Sequence, residues 1–390
     1  MPMIFTPFVQ NLLPVIMAGA GFGLLIAIHE CGHFLFAKLF NIGVPAFSLG
    51  FGPVLIQTKI GETEFRLSLI PLGGYCAMQY STTPEEAQAN PALNPARDFD
   101  RASTIKKTIV MLGGIAFNLA FAYVAFTLTN YGTRPLTKAR VTITSVLPGS
   151  AAEKAHLKAD TVLAGYCEIV STDGDLQTSR YVEFSEDSTT TQEQLCAFLA
   201  NIAKHPNEPL SLALQDKSGT PERHDVLLGD KNGVGSLGVS IKINNEEVPG
   251  ATQTDSLQSA FQKSVRTVHN AIATTAMAIK RMFQVRDTAS FEGPLSLFFQ
   301  TFKSAQAGAR ELLSFLGQIS IMLALMNVLP LGALDGGQLL FVLIEGIIRR
   351  QLPVKLKETI LLGSWFLFFG LVLVLSYRDI MKFVAAYTGA

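Results

Sequence analysis

The chain has 390 residues, of which 48% are hydrophobic and only 16% charged. That balance argues against an ordinary soluble protein and for a membrane protein with a soluble part. Lys plus Arg and Asp plus Glu number 31 each, so no basic excess points to nucleic acid. The length allows two or three domains.

Taken in order, the N-terminus lacks the Lys and Arg of a secretory signal and reads as a retained first membrane span. Four apolar runs are long enough to cross a bilayer: about 12–37, 107–129, 312–331 and 359–378. The first contains His29-Glu30-Cys31-Gly32-His33. On a helix, residues four apart stack on one face about 6 Å apart, so His29 and His33 can share one tetrahedral Zn2+. Glu30 is then offset to the side as a general base, and Cys31 is turned away from the histidine face. The bland reading is two core histidines with an ion-paired Glu, which would leave several polar groups unsatisfied in lipid. Lys38, Arg97, Arg101, Lys106 and Lys107 follow the first span, and Arg349, Arg350, Lys355 and Lys357 follow the third. The positive-inside rule puts both clusters in the cytoplasm, with both termini and segment 130–310 outside.

Residues 46–75 read as two short strands, Val54–Lys59 and Glu64–Ile70, with Gly and Pro punctuating both ends. Such backbone is tolerated at membrane depth only under cover of protein or a watery cavity. The hairpin is therefore expected to line a cavity beside the metal motif, the alternative being a cytoplasmic surface hairpin. Residues 81–99 are polar and suit a loop. In the second span, Gly113, Gly114 and Asn118 suggest close helix packing, with the amide as interhelical glue.

Segment 136–245 mixes charged and turn residues with β-rich runs at Arg140–Val146, Leu210–Leu214, Asp225–Leu228 and Ser236–Ile243. Helices are expected after Pro148-Gly149-Ser150 and over Thr191–Lys204, the latter opening on a capping box at Thr190–Glu193. His156, His205 and His224 lack ligand spacing and read as surface residues. The four cysteines form no Cys-x-x-Cys pair. Cys167 and Cys196 fall in this segment, and whether they meet stays open. An amphipathic helix is expected over Ser256–Phe283, packed within the protein, and Pro294–Phe302 is too short to span.

Span three ends in Asn327-Val328-Leu329-Pro330-Leu331-Gly332-Ala333-Leu334-Asp335-Gly336-Gly337-Gln338. Pro330 prevents an unbroken helix, and the glycines permit tight turns. By the orientation above, Asp335 lies at the depth of His33, so its carboxylate is the candidate third ligand of an open, catalytic zinc site. A helix C-cap or an ion pair is the other reading.

With these motifs in hand, the chain resembles the site-2 protease family of intramembrane zinc metalloproteases, specifically the bacterial regulator-of-sigma-E protease group. The resemblance rests on His29-Glu30-x-x-His33, Gly50-Phe51-Gly52-Pro53, Gly73-Gly74-Tyr75, Gly114-x-x-x-Asn118 and Asn327-x-x-Pro330-x-x-x-Leu334-Asp335-Gly336-Gly337. It implies a polytopic α-helical membrane protein: about four transmembrane helices, a membrane-associated β-hairpin and an inserted extracytoplasmic PDZ-like β-rich domain. The expected division is 1–135 with the zinc motif, 136–245 PDZ-like, 246–310 amphipathic and interfacial, and 311–390 with the third ligand. Glu30 would be the base, and His29, His33 and Asp335 the zinc ligands. Asn327 would bond substrate backbone, and the hairpin edge around Val54, Leu55, Ile56, Leu67 and Leu69 would take an unwound substrate as an added strand. Implied substrates are transmembrane proteins of the anti-sigma-factor or signal-peptide-remnant type, screened by size, in a bacterial inner membrane. The chain departs from the usual motif at Gly332, where a second proline is usual, and at Gln338, where histidine is common. A silent scaffold would be expected to lose Glu30. A transporter would want polar residues in spans two and four, which have almost none in their apolar cores.

Overall fold

The computed structural model describes residues 2–80, 94–168, 180–186, 188–215, 221–231, 233–285 and 293–388. Most of the expected 81–99 loop, residues 81–93, lies outside them. The chain forms two compact units: residues 1–129 with 289–390, and the inserted 130–288. Among the described residues, four helices are long and apolar enough to cross a bilayer, over Leu12–Leu39, Thr104–Asn130, Ala309–Val328 and Val354–Met381.

Helix α1 (Pro2–Leu39) is followed by strands β1 (Ala46–Ile60) and β2 (Thr63–Ala77), both longer than the two expected strands. The glycines taken as strand ends are bends inside strands. Gly50 has φ +89°, and a Cβ there would lie 2.8 Å from the Ile70 carbonyl oxygen. Because of these bends Ala46–Leu49 pairs in two registers, with Glu64–Leu67 and with Gly74–Ala77. The folded sheet is pinned to α1 by Phe34, whose ring meets Phe47 and Phe65 edge-on at 5.5 and 5.6 Å. Its tip is clamped where Glu62 accepts from Lys38, at the end of α1, and from both terminal nitrogens of Arg97. Burial alone would raise the Glu62 carboxyl, but these two cations outweigh it and hold it below the usual range.

Helix α2 (Thr104–Asn130) crosses α1 with the backbones in contact. A Cβ on Gly32 would lie 2.2 Å from the Gly113 carbonyl oxygen, so no larger residue fits that crossing.

The inserted unit carries an antiparallel sheet in the order β10-β3-β4-β6-β7, with β5 also paired to β4. Its strands are β3 (Gly132–Val146), β4 (Thr161–Glu168), β5 (Arg180–Glu183), β6 (Pro209–Gln215), β7 (Pro221–Leu227) and β10 (Val239–Asp255). A separate ribbon pairs β8 (Gly229–Lys231) with β9 (Val234–Ser236). The short α3 (Ala151–Lys154) and α4 (Ser188–Lys204) complete the core, where the rings of Tyr166 and Phe198 meet at 4.7 Å, tilted by 57°. Strands β4 and β5 and the β8–β9 ribbon lie beyond the expected strands; for the ribbon the sequence does carry a signal, the Asn232-Gly233 pair between β8 and β9. Because α4 begins at Ser188, Thr190 and Thr191 lie in its first turn and do not cap it; Thr191 Oγ1 instead donates to the Ser185 carbonyl. Helix α5 (Leu257–Val285) packs within this unit, burying Ala260, Ser264, Val268 and Ala271 while Leu257 and Phe261 stay exposed. The four cysteines, Cys167 and Cys196 among them, are free thiols.

The chain returns to the first unit with α6 (Pro294–Ala307), α7 (Ala309–Val328), α8 (Asp335–Ile348) and α9 (Val354–Thr388). The Pro294–Phe302 stretch is the body of α6. Buried Asp379 of α9 caps that helix, accepting from the Gly293 and Ser296 N–H groups at 3.2 and 2.9 Å. Leu25 of α1, Ala305 of α6, and Leu312 and Leu316 of α7 form one buried cluster. Helix α7 ends before Pro330, as expected, but a further helix follows it at Asp335. Gly336 and Gly337 make that turn possible, since a Cβ at either would lie 2.3 Å or less from a backbone oxygen of Val328 or Leu331.

Candidate metal centre

The site assembles on three helices. From α1, one helical turn presents His29 and His33; from α8, Asp335 reaches them at the first helical position, where the helix dipole favours a negative charge. That placement sets aside the C-cap reading, because Asp335 opens a helix. Asp335 Oδ2 lies 3.1 Å from His29 Nε2 and 3.2 Å from His33 Nε2, and the two nitrogens are 3.3 Å apart. A tetrahedron with Zn–N and Zn–O bonds of about 2.0–2.1 Å has edges of about 3.3–3.4 Å, so the triangle matches one face of it.

Hydrogen bonding orients the rings. His33 Nδ1 is 2.8 Å from the Val110 carbonyl oxygen of α2, to which it donates, leaving the Nε2 lone pair facing the site. His29 Nδ1 lies 3.2 Å from Asn118 Nδ2, while Asn118 Oδ1 is buried with no partner. Amide oxygen and nitrogen are assigned from such networks. Exchanging them lets Oδ1 accept from His29 Nδ1–H and frees His29 Nε2 as well. Asp335 Oδ2 is itself buried without a hydrogen bond. Three lone pairs converging at 3.1–3.3 Å repel one another unless a cation sits among them, so the donor set fits a metal. His29, His33 and Asp335 are the metal-competent group found among the described residues.

Asn118 therefore does more than the helix packing expected of it. Its backbone oxygen accepts from Ser320 Oγ of α7 at 2.9 Å while its amide meets His29. The pattern Gly114-x-x-x-Asn118 gains a physical meaning here. A Cβ on Gly114 would lie 2.5 Å from His33 Nε2, so glycine makes room for the rings and the asparagine one turn on orients one of them.

Glu30 is half-buried beside the triangle. The Cys76 backbone N–H bonds its carboxylate, and a Cβ on Gly74 would lie 3.3 Å from Glu30 Cγ. The hairpin thus lies against the metal-motif helix, and the part that touches Glu30 is the end of β2. Val54, Leu55, Ile56, Leu67 and Leu69 are exposed on other parts of the sheet. Burial, with the Glu30 charge adding to it, pushes the Cys76 thiol up to about 12. Asn327 is half-buried on the last turn of α7, eight residues before Asp335.

Comparison with known proteins agrees with this geometry. "Putative zinc metalloprotease slr1821" of Synechocystis sp. is 30% identical over 97% of this chain and 100% of its own length. "Putative zinc metalloprotease CPE1693" of Clostridium perfringens is 25% identical over 94% of this chain and 98% of its own. The Rickettsia conorii protein "Putative zinc metalloprotease RC0203" is 28% identical over 90% and 94%. The model of peptidase family M50 matches residues 17–371, which include all three residues of the triangle, Glu30 and Asn118. The chain belongs to peptidase family M50, the site-2 protease family of zinc metalloproteases.

Proposed function

We propose that the protein is a zinc-dependent endopeptidase that cleaves transmembrane segments of membrane proteins already trimmed by another protease. Anti-sigma factors and signal-peptide remnants are the substrate class. The observation that carries this reading is the triangle of His29 Nε2, His33 Nε2 and Asp335 Oδ2, with edges of 3.1–3.3 Å, whose two histidines stand on an apolar helix long enough to span a bilayer.

His29, His33 and Asp335 would hold Zn2+, which when bound would supply Lewis-acid polarisation of the scissile carbonyl and lower the pKa of the attacking water. Glu30, one residue from His29 and steadied by the Cys76 N–H, takes the proton from the attacking water and returns it to the leaving amine. A peptide bond inside a helix is shielded by its own hydrogen bonds, so the substrate must unwind first. The β-sheet beside α1 offers the unwound stretch a free strand edge, with the Val54–Leu69 side chains as contacts and Asn327 as a backbone partner. The antiparallel sheet of the inserted unit, with α3 and α4 beside it, supports a PDZ-like reading, and that unit screens substrates by size. Basic residues after spans one and three support an inner-membrane topology with both termini and the inserted unit extracytoplasmic.

The test is cleavage of a single-span model peptide by the purified protein in detergent. Glu30→Gln should lower the rate by at least about 10²-fold while zinc stays bound. A chelator should abolish cleavage until zinc is restored. Failure of the zinc-loaded native chain to cleave any trimmed substrate would favour a scaffold role. Equal rates on trimmed and untrimmed substrates would refute size screening.

A further inference from the structure

The turn that carries Asp335 has few backbone bonds of its own. Leu331 N–H bonds the Leu329 carbonyl and Leu334 N–H bonds the Leu331 carbonyl, each at 2.8 Å, and neither bond involves Gly332. The Gly332 N–H donates instead to Ser364 Oγ on α9 at 2.9 Å, and its carbonyl accepts from Gln338 Nε2 at 2.8 Å. The Ser364 hydroxyl hydrogen is committed to the Ile360 carbonyl at 2.8 Å, which leaves Oγ as the acceptor and fixes the direction of the bond. The approach is close, since a Cβ on Gly332 would lie 3.0 Å from Ser364 Oγ. Gln338 sits three residues after Asp335 on the same helix, so two hydrogen bonds connect span four to the helix that opens on Asp335. In hydrocarbon no water replaces a lost partner.

We infer that Ser364 is a positioning residue: through Gly332 and Gln338 it fixes the turn that sets Asp335 Oδ2 beside the two imidazoles. The two positions at which the chain departs from the usual motif are then bonded partners. Proline at 332 would have no N–H to offer Ser364, and Gln338 supplies the amide that reaches the Gly332 carbonyl. The inference rests on the reading of Asp335 as a zinc ligand.

The experiment measures zinc affinity of the purified full chain in detergent by competition with a chromophoric chelator. Threonine and valine have the same shape at 364, but only threonine keeps the hydroxyl. Ser364→Thr should bind zinc within about twofold of native, and Ser364→Val about tenfold more weakly. Gly332→Pro should be weakened as well, and adding Ser364→Val to it should cost nothing more, because the donor is already gone. Equal affinities for the Thr and Val variants, or additive losses in the double variant, would overturn the inference. If Ser364→Val does not fold, Gln338→Leu carries the test from the other side of Gly332, with the same tenfold loss expected and native affinity refuting it. Asp335→Ala separates the two claims. Unchanged affinity there would remove the ligand reading itself, whereas a large loss beside a silent Ser364→Val would remove only the positioning role.

Discussion

Replacing Gly114 with alanine puts a methyl group where the two imidazoles already are. Its Cβ would lie 2.5 Å from His33 Nε2 and 2.6 Å from His29 Cε1, while ordinary contact begins at 3.4 Å. Either the rings turn or α2 backs away by roughly 1 Å, and a shift of that size in a working site costs about 10²-fold. At about 1.4 kcal/mol per tenfold, a loss of the same size in zinc affinity would be about 2.8 kcal/mol. The matched control is Gly19→Ala on α1, where a Cβ meets nothing within 4 Å. Both changes add one methyl to a membrane helix, so hydrophobicity and helix propensity are the same in each. Zinc affinity by chelator competition and peptide cleavage should both collapse in Gly114→Ala and stay native in Gly19→Ala. Native zinc affinity in Gly114→Ala, or an equal loss in the two variants, would refute the claim that glycine is required there to seat the rings.

Asn118→Leu should weaken zinc binding by about 10- to 100-fold, because His29 loses its orienting partner. Asn118→Asp, which can only accept from Nδ1–H, should stay within a few-fold of native; a loss as large as that of leucine would show that the amide oxygen does not face His29. The Glu62 clamp predicts a pH dependence. Its carboxyl is depressed in the folded state, so its stabilisation is complete above the unfolded value of about 4.3 and lost as pH falls through the folded value. The thermal midpoint of Glu62→Gln should therefore sit below native at pH 7, and the gap should close in acid; a gap that does not change with pH would contradict this. Cys76, pushed up to about 12, should resist alkylation at pH 8 in the folded protein, and labelling at the rate of a free peptide thiol would count against its burial beside Glu30.

The metal motif was legible because its geometry is local. Four residues of helix bring His29 and His33 onto one face whatever the rest of the chain does, and an apolar run of spanning length declares itself by composition. The choice of Asp335 needed only depth, which the basic flanks supply. The hairpin was half legible: alternation marked its strands, but the same Gly and Pro that end strands elsewhere bend these from within, and only the double pairing of Ala46–Leu49 distinguishes the two cases. Sequence could not assign Asn118 to His29, since 89 residues separate them and an amide in a span suits helix packing equally well. Nor could it connect Ser364 to Gly332, a bond that exists only where two helices meet. Local periodicity thus determined the spans and the two histidines. The crossing of α1 with α2 and the seating of α8 decided which polar groups point at the metal, because hydrogen bonds between distant segments leave no spacing in the chain to read.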